Sequence, residues 1–141
     1  MPIRSLRSIV EGQTPITVSK SVTVVEAART MKMHNIGALL VVDGPRLCGI
    51  FTERDALFRV VAEGRDPGAT TVSQVMTPQP QTIHPDKPFL HALRIMHVGR
   101  FRHLPVVEDG RPLGMVSSRD ALADDLYELR ISLAQREDML E

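Results

Sequence analysis

Two stretches of the chain repeat each other: Gly49-Ile50-Phe51-Thr52-Glu53-Arg54-Asp55-Ala56-Leu57 and Gly114-Met115-Val116-Ser117-Ser118-Arg119-Asp120-Ala121-Leu122. Around them, residues 17–57 align without gaps on residues 82–122, at an offset of 65 residues. Thirteen of the 41 aligned pairs are identical, and many others exchange one apolar residue for another. Self-similarity at a fixed offset is the signature of a repeated structural unit, so the sequence predicts two copies of one unit.

Each copy passes through the same order of hydrophobic periodicities. A short extended segment, at residues 16–19 and 81–84, precedes a helix with apolar residues at the i, i+3, i+4, i+7 spacing of one buried face. Two apolar runs separated by a glycine-containing turn then predict paired strands, and a helix beginning at Thr52 or Ser117 closes the copy. The residues expected to face inward are Val24, Ala27, Ala28, Met31, Leu57, Val60 and Val61 in the first copy, and Phe89, Ala92, Leu93, Met96, Leu122, Leu126, Leu129 and Leu133 in the second.

This order predicts an α+β fold made of tandem βαββα repeats. Residues 64–71 are rich in Gly, Asp, Pro and Thr and predict the linker, which divides the chain into domains at residues 1–70 and 71–141. Repeats this small cannot cover a sheet face alone, so we expect them to pack sheet against sheet, with pseudo-two-fold symmetry and the helices outside.

Composition excludes several classes of protein. The 141 residues carry 17 basic and 17 acidic side chains, so no overall charge attracts nucleic acid or an anionic membrane. The single cysteine, Cys48, rules out an intramolecular disulfide and a zinc site built from cysteines. No apolar stretch is long enough to span a membrane, and no signal peptide is recognisable, so we expect a cytoplasmic protein.

The repeated motif has two readings, which both remain open at the level of sequence. A hydroxyl residue followed three positions later by a carboxylate, as in Thr52/Asp55 and Ser117/Asp120, is the pattern of a helix capping box. A helix N-terminus also offers N–H donors to a phosphate, and a nearby carboxylate can accept hydrogen bonds from the vicinal hydroxyls of a ribose. The motif therefore predicts either two helix caps or two nucleotide sites.

The motif and its surroundings resemble the CBS domain pair, also called the Bateman module, over nearly the whole chain. The similar stretches are Ile36-Gly37-Ala38-Leu39-Leu40-Val41-Val42-Asp43, Thr52-Glu53-Arg54-Asp55, Thr71-Val72-Ser73-Gln74-Val75-Met76-Thr77 and Arg102-His103-Leu104-Pro105-Val106-Val107. The resemblance implies a stand-alone, non-enzymatic regulatory module that binds AMP, ADP or ATP, with S-adenosylmethionine or NADH as further candidates. It also implies a homodimer that signals to an effector protein.

The resemblance further implies two sites, each combining the motif of one repeat with strands of the other. One site would contain Thr52, Asp55, Gln81, Arg102, His103, Leu104 and Pro105, and the other Ser117, Asp120, Ile16, Gly37 and Ala38. Because Arg102 and His103 can neutralise phosphates, we expect phosphate-rich ligands to prefer the first site.

Other functions have less support in the sequence. No glycine-rich phosphate loop, metal-ligand spacing or nucleophile signature is present, so we expect no catalytic residues, no catalytic cofactor and no metal. A ligand-independent dimerisation scaffold is the main alternative, in which the motifs serve only as caps. Nucleic-acid binding rests only on the basic residues of the second repeat, and the neutral overall charge opposes it. The leucine stripe of residues 122–133 is assigned to packing within a homodimer.

Overall fold

The computed structural model describes the backbone of residues 4–140 and the side chains of residues 4–136. These residues fold into two compact units. The first-repeat unit contains Pro15–Gln81 and Asp109–Pro112, and the second-repeat unit contains residues 4–14, 82–108 and 113–140. The elements in chain order are α1 (Leu6–Val10), β1 (Thr17–Ser19), α2 (Val24–His34), β2 (Ala38–Asp43), β3 (Arg46–Thr52), α3 (Glu53–Asp55), a π-helix (Ala56–Val61), α4 (Val72–Val75), β4 (Thr77–Pro78), α5 (Phe89–Gly99), β5 (His103–Glu108), β6 (Arg111–Ser117), a 3₁₀ turn (Ser118–Asp120) and α6 (Ala123–Leu140).

The first-repeat unit is built on a four-stranded sheet with the order β1-β2-β3-β4. β1 is parallel to β2, and the other neighbours are antiparallel. The β2–β3 hairpin turns through Gly44, whose φ of +60° is the left-handed conformation that glycine adopts without strain. α2 is capped by the Thr23 hydroxyl, which accepts from the Glu26 N–H, and it ends at Asn35 in a left-handed conformation. The buried core consists of Val24, Ala27, Met31, Leu39, Val41, Phe51, Val60, Val72 and Val75.

The second-repeat unit repeats this plan with a shorter sheet. β5 and β6 form a hairpin whose turn residues Asp109 and Gly110 both have positive φ, the type I′ geometry that suits a two-residue hairpin loop. In place of the strand predicted at residues 81–84, only Ile83 pairs with the sheet, in a parallel bridge to Val106. The buried core consists of Leu6, Val10, Ile83, Phe89, Ala92, Leu93, Met96, Leu104, Val106 and Val116. The structure thus confirms the predicted α+β class.

A short segment completes each unit from outside its repeat. Thr71 bridges to Thr23 at the start of α2, and Ser5 bridges to Pro88, the equivalent position at the start of α5. Residues 4–10 therefore pack against the second repeat in the way that residues 70–76 pack against the first. The predicted division at residue 70 follows the chain, whereas in the structure residues 4–14 pack with the second repeat.

The helices that follow the two motifs differ from the sequence expectation. The first widens into a π-helix, in which the Ala62 N–H bonds to the Leu57 carbonyl at 2.9 Å. Several of the expected inward positions were wrong: Val60 is buried and Leu129 packs against the core of its unit, but other apolar residues of these helices are exposed. The exposed residues are Leu57 and Val61 after the first motif, and Leu122 and Leu126 after the second; Ala28, on α2, is also exposed. Across the described residues, we find no helix with the length and hydropathy needed to cross a bilayer.

Candidate functional site

The first motif forms a reciprocal cap where β3 runs into α3. The Thr52 hydroxyl accepts from the Asp55 N–H at 3.2 Å. Asp55 Oδ2 in turn accepts from the Thr52 N–H at 3.0 Å and from its hydroxyl at 3.1 Å. Asp55 is only 7% exposed, an unusual position for a carboxylate. The predicted capping box is therefore present, and it holds a buried negative charge in a fixed orientation.

Arg59 is a member of this site that the sequence analysis missed. Its Nε lies 3.6 Å from Asp55 Oδ1, an ion-pair distance that is too long for a hydrogen bond. Its Nη1 donates to the carbonyl oxygens of Val75 and Met76, at 3.3 and 3.0 Å. Arg59 therefore ties the motif to α4, the segment that completes the unit. Its i+4 spacing from Asp55 was the available signal.

Two predicted site residues, Gly37 and Ala38, lie beside the first motif within the first-repeat unit. Ala38 pairs with Thr52 across β2 and β3, and the Glu53 N–H donates to the Gly37 carbonyl at 3.0 Å. Ile16 lies on the other side of β2, where its carbonyl accepts from the Leu40 N–H. The Glu53 side chain occupies the space where a Cβ at Gly37 would lie, so this position requires a glycine or a shift of Glu53. Gln81, also in this unit, is exposed.

The second motif repeats the cap with looser geometry. Asp120 Oδ2 accepts from the Ser117 N–H at 2.7 Å, while the Ser117 hydroxyl lies 3.5 Å away. Asp120 is only partly buried. Within this unit, the Ser118 N–H donates to the Arg102 carbonyl at 3.1 Å, so Arg102 lies beside this motif.

The remaining predicted site residues lie at the start of β5. Arg102 is exposed and His103 is half-buried. Leu104 is fully buried in the core, so only its backbone is available to a ligand. Pro105 is also buried, and its carbonyl accepts from the Ile83 N–H at 3.0 Å.

The two motifs differ in the charges of the residues that follow them. Arg54 and Arg59 follow Thr52, and Arg54 also lies over the ring of Phe58, with 5.1 Å to the centroid. In the second repeat Arg119 corresponds to Arg54, but the position equivalent to Arg59 is Asp124. The first motif therefore lies in the more cationic environment, which favours an anionic ligand.

A cluster of potential metal ligands lies in the second-repeat unit, apart from the motifs. His84, Asp86 and Glu108 each offer an atom within 4.8 Å of the others. The Arg7 guanidinium, however, donates to both Asp86 and Glu108, at 2.9 Å to each carboxylate. This hydrogen bond holds the pKa of Asp86 below its usual value. The cluster thus fastens α1 to the second repeat by means of a guanidinium.

Cys48 packs partly buried against the first-repeat core. Burial raises the pKa of its thiol, and the nearby Asp43 raises it further. Both effects keep the sulfur protonated, which agrees with a packing role.

A comparison with protein families matches the model of the CBS domain twice, at residues 8–62 and 72–126. Among curated relatives, a mitochondrial CBS domain-containing protein of Arabidopsis thaliana, CBSX3, is 38% identical over 116 residues, covering 79% of this chain and 56% of its own. The protein YhcV of Bacillus subtilis is 37% identical over 110 residues, covering 78% of each chain. The chain thus spans about half of the Arabidopsis relative but most of the Bacillus one.

Solved structures show the same fold. A signal-transduction protein with CBS domains from Burkholderia ambifaria is 36% identical, with a TM-score of 0.76 and coverage of 82% of this chain and 89% of its own. A CBS domain protein from Pyrobaculum aerophilum, solved in complex with AMP, has a TM-score of 0.80 over 92% of this chain and 99% of its own, and at 24% identity the likeness is one of fold. Because the family model covers most of the chain in two consecutive copies, this protein belongs to the CBS domain family as a tandem pair of CBS domains.

Proposed function

We propose that this protein is a regulatory module that binds an adenine nucleotide, or a related adenosyl compound, at its two hydroxyl–carboxylate motifs. The observation that carries the proposal is the state of the two carboxylates. In each, Oδ2 accepts the hydrogen bonds of the cap, so the cap itself does not use Oδ1. In Asp55, the Arg59 Nε lies 3.6 Å from Oδ1, which is beyond hydrogen-bond distance. An oriented carboxylate with an unused acceptor is suited to the vicinal hydroxyls of a ribose.

The phosphates of the ligand require cationic partners. For the Thr52/Asp55 site we propose Arg102 and His103, together with Gln81 and the backbone of Leu104 and Pro105. Arg59 adds a charge that the sequence analysis did not include. For the Ser117/Asp120 site we propose Ile16, Gly37 and Ala38, which offer backbone groups and a small surface. The cationic residues after Thr52 support the preference of phosphate-rich ligands for the first site.

AMP, ADP and ATP are the first candidates, with S-adenosylmethionine and NADH as further ones. The complex of the Pyrobaculum protein with AMP supports an adenine nucleotide for this fold. A regulatory role fits the signal-transduction description of the Burkholderia protein. Ligand binding would then shift the population of conformations that an effector protein recognises. We propose no enzymatic activity and no nucleic-acid binding, and a cytoplasmic location, although the Arabidopsis relative is named as mitochondrial.

We further propose that the module is a homodimer. Large apolar side chains remain exposed after both motifs: Leu57, Phe58 and Val61 on the π-helix, and Leu122, Leu126, Tyr127 and Ile131 around α6. Exposed apolar groups of this kind mark an interaction surface. The alternative function is a dimerisation scaffold that needs no ligand. It uses the same surfaces, and it differs from the proposed function only in that the motifs act as helix caps and bind nothing.

Isothermal titration calorimetry and thermal shift with AMP, ADP, ATP, NADH and S-adenosylmethionine test the proposal. At ~100 times the dissociation constant, a ligand should stabilise the protein by about 2.7 kcal/mol. Asp55→Asn keeps the shape of the side chain and an acceptor for the cap but removes the charge. We expect it to weaken ATP binding by at least about tenfold, the effect of losing one hydrogen bond to a charged group.

The matched control is Asp120→Asn, which alters the second motif in the same way. It should leave the tighter ATP-binding step unchanged. A flat response of the wild-type protein to all five ligands would favour the scaffold. Equal loss in both variants would contradict the preference for the first site.

A further inference from the structure

The second motif ends where the chain leaves helical geometry. After Asp120 the backbone of Ala121 is extended, with φ of −71° and ψ of 131°, and the long helix α6 begins only at Ala123. In the first repeat the residue after the motif, Ala56, keeps helical angles, so that motif is continuous with the helix that follows it. The turn that carries Asp120 therefore needs an anchor other than a continuous helix.

Arg4 spans this break with one nitrogen of its guanidinium. Its Nη1 donates to the Asp120 carbonyl at 3.1 Å and to Asp125 Oδ2 at 2.5 Å. The same carboxylate oxygen accepts from the Leu122 N–H at 2.8 Å and so caps the start of α6. Arg4 thus joins the end of the motif turn to the first turn of α6.

The Arg4 side chain is held in this position from more than one direction. Its guanidinium carbon lies 5.1 Å from the ring centroid of Phe89, a fully buried residue whose N–H donates to the Arg4 carbonyl at 2.8 Å. The side chains of Arg4 and Asp125 are 30% and 13% exposed, so solvent and salt screen this ion pair less than a surface pair. We therefore expect the contact to persist in solution.

The ion pair is particular to the second repeat. The residue that aligns with Asp125 in the first repeat is Val60, which is buried and offers no carboxylate. The first motif is tied to its completing segment by Arg59, which belongs to the repeat itself, whereas the arginine at the second motif comes from outside its repeat. The second motif is therefore linked directly to the amino-terminal segment, residues 4–10.

We propose that Arg4 is a positioning residue for the second nucleotide site, and that it couples ligand binding at Ser117 and Asp120 to the docking of residues 4–10. This inference rests on the proposed function of the motifs. The cap of this motif is loose, since the Ser117 hydroxyl lies 3.5 Å from Asp120 Oδ2, and the guanidinium supplies orientation that the cap does not. Because coupling between two binding events is reciprocal, a ligand that orders the Asp120 turn also strengthens the docking of the segment.

Arg4→Gln and Arg7→Gln form a matched pair of variants. Both remove a guanidinium that fastens the amino-terminal segment to the second-repeat unit, but Arg7 donates to two carboxylates outside the motif. AMP is titrated into each ¹⁵N-labelled full chain, and the backbone amide signals of Thr52 and Ser117 report the two motifs separately. We expect Arg4→Gln to weaken AMP binding at the second motif by about fivefold, and Arg7→Gln to change it by less than about twofold.

Hydrogen exchange of the ligand-free variants distinguishes failure of this inference from failure of the proposed function. The Ser117 N–H donates to Asp120 Oδ2 at 2.7 Å, so its exchange should accelerate in Arg4→Gln and not in Arg7→Gln. Exchange of the Glu11 N–H, which donates to the Arg7 carbonyl within the amino-terminal segment, should accelerate in both variants. If AMP binds at neither motif, the proposed function fails, and the Ser117 exchange still decides whether Arg4 positions the turn.

Asp125→Asn tests the ion pair from its other side. The variant keeps an amide oxygen for the Leu122 N–H but removes the charge that pairs with Arg4. It should also weaken AMP binding at the second motif, and the double variant with Arg4→Gln should lose no more than the larger single loss, because both changes break one contact. Equal weakening in Arg4→Gln and Arg7→Gln would overturn the proposal, since general loosening of the segment would then explain the effect. Unchanged Ser117 exchange in Arg4→Gln would overturn it as well.

Discussion

Replacing Asp55 by alanine should destabilise the ligand-free protein more than the same change at Asp120. Asp55 Oδ2 accepts from a backbone N–H at 3.0 Å and a hydroxyl at 3.1 Å, and the residue is 7% exposed. The alanine leaves a partly buried N–H without its acceptor, which costs about 1–2 kcal/mol, and removes the partner of Arg59. We therefore expect a loss of about 2 kcal/mol.

Asp120 is the matched control. Its carboxylate accepts from the Ser117 N–H at 2.7 Å, but the hydroxyl lies at 3.5 Å and water can reach the site. Because water can replace the acceptor, the expected loss is about 1 kcal/mol. For a chain of this length, the two losses correspond to melting temperatures lowered by roughly 6 and 3 °C.

Thermal unfolding followed by circular dichroism measures both variants. The proteins are refolded from denaturant beforehand, so that retained ligand does not stabilise one of them. Asp55→Asn should recover part of the loss, since its amide oxygen still accepts from the cap. An equal loss at the two positions, or none at Asp55, would refute the argument that burial makes the first cap the stronger one.

The pKa of Asp86 lies below 3.8 because Arg7 donates a hydrogen bond to its carboxylate. The pair therefore stabilises the fold above pH 3.8, and this stabilisation is lost as the pH falls through the pKa of Asp86 in the folded protein. The stability difference between wild type and Asp86→Asn, measured in urea, should therefore shrink as the pH falls through the folded pKa of Asp86; a constant difference would contradict the pairing. The pKa of His91 should lie below 6.5 in an NMR titration, and Lys87→Gln should raise it only in part, since burial is the largest cause. Because that folded pKa is depressed, stability should fall as the pH drops from 6.5 toward it, and His91→Gln should abolish this dependence. Leu126→Glu introduces a charge among exposed apolar residues and should give a monomer in native mass spectrometry; an unchanged mass would remove this part of α6 from the proposed interface.

The sequence predicted features that depend on local backbone chemistry. Gly44 and Gly110 mark hairpin turns because glycine adopts positive φ without strain, and the structure has both turns. Thr52 and Asp55 have the spacing of a reciprocal cap, and the cap is present. Each of these depends on residues a few positions apart, which a single sequence displays directly.

Features that depend on distant parts of the chain were not accessible in the same way. Periodicity shows that Leu57 and Leu126 belong to apolar stripes, but it does not show whether a stripe faces its own core or a different surface. The packing of residues 4–10 against the second repeat was missed because the alignment of the repeats begins only at residue 17. Ser5 and Thr71, which make equivalent bridges, were the signal that a longer comparison would have used.

The bridges of Ser5 and Thr71 mean that neither half of the chain, cut at residue 70, would hold all the parts of a unit. The carboxyl-terminal half would lack Leu6 and Val10, two buried members of its core, and should fold poorly alone. Adding back a peptide of residues 1–14 should restore it. A force applied through a domain fused ahead of this module would act on the second repeat, since residues 4–10 pack there.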